Sequence, residues 1–104
     1  MSENVTNLLH TLIPNSAAPT VALSVGAATT LTAAGLTLHA ATQTVLLTVE
    51  GAEVRMCPDG TTPTATLGHA VPVGRWMEIS RAEATMAKWF SSGAAVLQVS
   101  QYTN

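Results

Sequence analysis

The chain has 104 residues, of which 47% are hydrophobic, 10% charged and 4% aromatic, with a formal net charge of −2. That length suits one domain with one core, and that charge excludes the basic footprint of a nucleic-acid binder. No run approaches the roughly 20 apolar residues a membrane-spanning helix needs.

Typical domains carry about 25% charged residues. Sixteen threonines and seventeen alanines take the place of the missing charges, and a hydroxyl-rich surface near neutrality favours association. Such a surface suits either a monomer kept soluble by its hydroxyls or, the favoured reading, a chain largely covered by copies of itself or by a larger partner.

Residues 1–19 form an N-terminal arm and linker in this reading, and residues 20–104 one β-sandwich domain. Met1-Ser2-Glu3-Asn4 lacks the basic start and apolar run of a secretory leader, so none is expected. Val5, Leu8, Leu9, Leu12 and Ile13 fall at helical spacing, Pro14 ends the run, and Asn15–Pro19 reads as a linker. Ten helical residues are marginal in water. This segment either folds back on its own domain or reaches a neighbour.

From Thr20 the period becomes two. Val21, Leu23 and Val25 alternate with small polar residues, Thr29-Leu31-Ala33 follows Gly26, and Leu36 and Leu38 alternate with Thr37 and His39. The longest predicted strand is Gln43–Glu50, with Val45, Leu47 and Val49 on one face. Glu53–Cys57 is next, then a Pro58-Asp59-Gly60 turn in which Pro presets φ, Asp bonds its own backbone and Gly accepts positive φ. Thr61–Gly68 is expected to pair back as a hairpin, with Pro63 at an edge. Val71-Pro72-Val73-Gly74 is a second turn before the strand Arg75–Ser80, where Met77 and Ile79 oppose Trp76 and Glu78.

Ser80 and Glu83 have capping-box spacing. Ala82, Met86, Trp89 and Phe90 continue as one apolar helical stripe, so a helix is predicted over Arg81–Ser92, stopped by a left-handed Gly93. Ala94–Tyr102 closes the chain as a strand. Seven or eight short strands at regular turn spacing predict an all-β protein: an antiparallel β-sandwich or jelly-roll-like fold with one short helix near the C-terminus.

Catalytic chemistry finds little support. His10, His39 and His69 share no metal-ligand spacing, and zinc needs three or four ligands. No nucleophile elbow occurs, and Asp59 is committed to its turn. Cys57 cannot form an internal disulfide; Arg55, on the same strand face, is the one residue placed to activate its thiol. No catalytic, cofactor-binding or metal residue is assigned and no cofactor is expected. Trp76, phased outward, is either an interface anchor or is covered by the helix.

The stretch Val54-Arg55-Met56-Cys57-Pro58-Asp59-Gly60-Thr61-Thr62-Pro63-Thr64-Ala65-Thr66-Leu67-Gly68-His69, followed by a Pro-x-Gly turn, resembles small virion structural proteins of tailed bacteriophages. The resemblance covers residues 49–100. It implies a non-enzymatic β-sandwich on the virion: a capsid decoration (cement) protein binding the major capsid protein as a homo-oligomer, dimer or trimer. The alternative is a head–tail or tail-fibre component that binds a host receptor or carbohydrate through Trp76, Trp89, Tyr102 and Gln98. Neither nucleic acid nor membrane is an expected partner. The interface residues expected are Val5, Leu8, Leu9, Leu12, Ile13 and Trp76.

Overall fold

A computed structural model describes residues 12–103. Val5, Leu8 and Leu9, and with them most of the predicted N-terminal helix, lie outside the described residues. The elements in order are β1 (Ile13–Pro14), β2 (Val21–Val25), β3 (Thr29–Thr30), β4 (Thr44–Glu50), β5 (Val54–Cys57), β6 (His69–Val71), β7 (Trp76–Ser80), α1 (Arg81–Met86), β8 (Lys88–Phe90) and β9 (Ala95–Thr103).

Two antiparallel sheets result. The first runs β2-β9-β4-β7, with β1 prolonging the β2 edge along the C-terminal end of β9; the second runs β3-β8-β5-β6. Every outgoing strand pairs with a returning one: β2 with β9, β3 with β8, β4 with β7, β5 with β6. The chain thus behaves as one long hairpin whose successive rungs alternate between the sheets, and β4–β9 and β5–β8 pairing closes the centre of each.

The period-two pattern of β4 shows why. Val45, Leu47 and Val49 are fully buried on its inner face, while Leu46 and Thr48 are half-buried on the outer one. Leu23, Val25, Ile79, Leu97 and Val99 meet them from the same sheet; Val54, Met56, Val71 and Trp89 come from the other, all in one cluster. Each such side chain contributes about 1.5–3 kcal/mol on leaving water, so a one-residue slip of β4, which would turn its apolar face outward, is strongly opposed.

Several predicted elements differ. The helix ends at Met86, because Ala87 turns extended (φ −60°, ψ 142°) and the chain enters β8 between β3 and β5. Trp89 and Phe90 therefore belong to a strand, and Trp89 is fully buried against Met56 and its neighbours. Gly93 caps nothing and has no positive φ; an added Cβ there would come within 2.8 Å of the Ala52 methyl, and that close approach calls for glycine.

Thr61–Gly68 forms a loop rather than a paired strand, with Pro63 buried, and only His69–Val71 pairs with β5. The strand reading at Leu31–Ala33 gives way to a turn over 31–35, and that at Leu36–Leu38 to irregular chain, joined by Leu36 N–H donating to the Leu31 carbonyl at 2.9 Å. Leu31 and Leu36 still reach the core. Ile13, predicted helical, lies in β1, and Asn15, expected in a linker, donates its N–H to the Gln101 carbonyl at 2.8 Å.

Candidate interface

Trp76 begins β7, the outer strand of the first sheet, and is 58% exposed. The helix does not cover it. Its position follows from the preceding turn: Gly74 takes φ +88°, Arg75 N–H donates to the Pro72 carbonyl at 3.2 Å, and Gly74 N–H reaches the Val49 carbonyl at 2.8 Å. That turn carries the chain from β6, the outer strand of the second sheet, to β7. Between the two sheet edges lies a cleft of about 290 Å³, bordered by Trp76, Met77, Pro72, Met56, Arg75 and His69. Its lining holds a cation and an imidazole but no carboxylate, a combination suited to an apolar side chain flanked by an acceptor.

Ile13 is equally exposed, at 59%, but stands opposite Thr103 on the far edge of the first sheet, whereas Leu12 is buried. Of the three described residues expected at an interface, Ile13 and Trp76 are exposed at opposite edges of the first sheet and Leu12 is buried.

Several polar side chains are occupied by the fold. Gln101 is 3% exposed; its Oε1 accepts from His39 N–H at 2.9 Å and Thr42 Oγ1 at 2.5 Å, and its Nε2 donates to the Thr37 carbonyl at 2.9 Å. Arg81 adds bonds to the His39 and Thr42 carbonyls at 2.7 and 3.0 Å. Together these fasten the 37–42 turn to β9 and α1. The capping box of α1 is present: Ser80 Oγ accepts from Glu83 N–H and Glu83 Oε1 from Ser80 N–H. The Asp59 carboxylate accepts from Thr61 N–H at 3.0 Å, and bonds from Thr61 hold its pKa below the usual aspartate value.

Cys57 is buried, with the Gly68 backbone close over its thiol, and Arg55 donates to the Gly68 carbonyl at 3.0 Å. Among the described residues no three His, Cys, Asp or Glu side chains converge.

The charges are unevenly spread along the chain. No Asp, Glu, Lys or Arg stands between Glu3 and Glu50, nor after Lys88. The fold pairs parts of those two charge-free stretches directly, β1 and β2 lying along β9. Among the described residues, every charged side chain belongs to the segment Glu50–Lys88. Compared with protein-family models, with curated proteins and with solved structures, the chain matches none.

Proposed function

We propose that this chain is a non-enzymatic virion structural protein of a tailed bacteriophage: a capsid decoration protein that self-associates and binds the major capsid protein. The observation that carries the reading is the strand order β2-β9-β4-β7 over β3-β8-β5-β6. It supports a jelly roll, a wrap that recurs in viral capsid domains. Fold analogy alone does not make a function. The composition of the surface adds to it: few charges, an exposed Trp76 beside a cleft, and polar side chains tied into the fold.

Purified protein mixed with undecorated capsid shells tests the proposal. Saturable binding at defined sites is expected, and Trp76→Ala should weaken it by at least tenfold, since a buried interface Trp is typically worth about 2 kcal/mol or more. The same substitution should leave thermal stability nearly unchanged, because the side chain is mostly exposed. Absence of saturable binding counts against the reading.

A second reading, a receptor- or carbohydrate-binding module of a tail component, is favoured by the Trp76–Arg75–His69 grouping at the cleft, as jelly rolls also build lectin domains. Trp89 cannot contribute, being fully buried. Specific signals on a glycan array would support this reading against the first.

A further inference from the structure

We infer that β2 is the self-association edge of this protein, two copies joining antiparallel through it to make one continuous sheet. This rests on the reading of the chain as a self-associating structural subunit. The direction of each backbone group follows from the register. Asn15 N–H donates to the Gln101 carbonyl and Gln43 N–H to the Tyr102 carbonyl, both at 2.8 Å. Odd residues of β9 therefore face β1 and β2, and even ones face β4. Val21, Leu23 and Val25 lie opposite Val99, Leu97 and Ala95, so their N–H and C=O groups are spent on β9. Those of Ala22 and Ser24 point outward, where among the described residues no strand pairs with them.

A twofold axis at Leu23 sets Ala22 of one copy against Ser24 of the other, twice. Each is a hydrogen-bonded pair with small, exposed side chains that meet without collision. An exposed edge is usually protected by charge, proline, a bulge or shortness. β2 has five residues, none charged and none proline, and the strand it pairs with, β9, carries no charge either. Identical surfaces meeting there bring no like charges together and strip no ion of water.

The other edges are less suited. β3 has two residues, and β6 has three and leads directly into Pro72. On β7 the residues facing outward are the even ones, since Arg81 N–H bonds the Gln43 carbonyl and Val49 N–H the Arg75 carbonyl. Self-pairing there centres on Glu78 and opposes it to its own copy, which is repulsive.

The full-length protein alone, without shells, provides the test. Sedimentation equilibrium should give twice the chain mass of 10.7 kDa. Ser24→Pro removes an outward N–H that the monomer does not use, a position where an edge strand tolerates proline; it should weaken dimerisation at least tenfold while far-UV circular dichroism stays native. Ala22→Lys, on an exposed side chain, should act in the same direction.

Register is read by cysteine pairing. Ala22→Cys mixed with Ser24→Cys should cross-link on oxidation, because facing Cα atoms about 5.5 Å apart suit a disulfide. Either variant alone should not, its thiols being offset by two residues and about 7–8 Å apart. A monomeric wild type, a dimer indifferent to Ser24→Pro with native folding, or cross-linking within a single variant overturns the inference. A dimer that ignores shells removes the capsid reading and leaves the β2 pairing; a monomer that saturates shells removes the β2 pairing, and self-association with it, and leaves capsid binding.

Discussion

Replacing Gln101 by Leu probes the polar hub beneath the 37–42 turn. The substitution nearly conserves volume but deletes one acceptor and one donor. It strands three partners: the His39 N–H at 2.9 Å, the Thr42 hydroxyl at 2.5 Å and the Thr37 carbonyl at 2.9 Å. Thr42 is itself buried, so its hydroxyl has no water to turn to, whereas His39 is half-buried and Thr37 exposed. An orphaned buried group costs about 1–3 kcal/mol, and a lost hydrogen bond whose partner is rehydrated about 1 kcal/mol.

The expected loss is about 3 kcal/mol, a large share of the 5–15 kcal/mol typical of a domain. For about 100 residues that lowers Tm by more than about 10 °C. Chemical denaturation followed by Trp fluorescence measures it. The double variant Gln101→Leu with Thr42→Val should recover about 1 kcal/mol, since removing both partners spares the orphaned hydroxyl. A single variant within about 0.5 kcal/mol of wild type, or a double variant worse than the sum of the singles, would refute the assignment of this hub as a fastening of the turn.

Two further substitutions or titrations address other points. Gly51→Ala should destabilise by more than about 2 kcal/mol in the same denaturation assay: Gly51 has φ +84°, and an added Cβ collides with the Ala94 carbonyl oxygen. The Asp59 carboxyl, titrated by NMR, should show a pKa below that of an unfolded aspartate. Its folded pKa is depressed by bonds from Thr61, so its contribution to the turn is present above the unfolded pKa and is lost as pH falls through the folded one. A Thr61 amide resonance that ignores this titration would contradict the bond.

The local rules legible in the sequence are those whose physics is local. The alternation of Val45, Leu47 and Val49 marks a half-buried strand because side chains on a pleat point alternately to either side, and all three are fully buried. The Ser80–Glu83 box and the Pro58–Gly60 turn close over three or four residues and need nothing beyond them. At Trp89 the local pattern is ambiguous, because Ala82, Met86, Trp89 and Phe90 satisfy a helical period equally well. The decision fell to two strands distant in sequence, β3 and β5, which offered Lys88–Phe90 backbone partners on both sides and Trp89 a buried site.

The same division holds for the candidate surfaces. The outward phase of Trp76 could be read from its strand, but the cleft beside it exists only because two sheet edges end together. The scarcity of charge is visible in the composition, while the pairing of one uncharged stretch with the other depends on β9 returning between β2 and β4. Period and capping act within a few residues, so the chain states them alone. Which strands pair and which strand is left at an edge are set by long-range pairing, which only the folded chain decides.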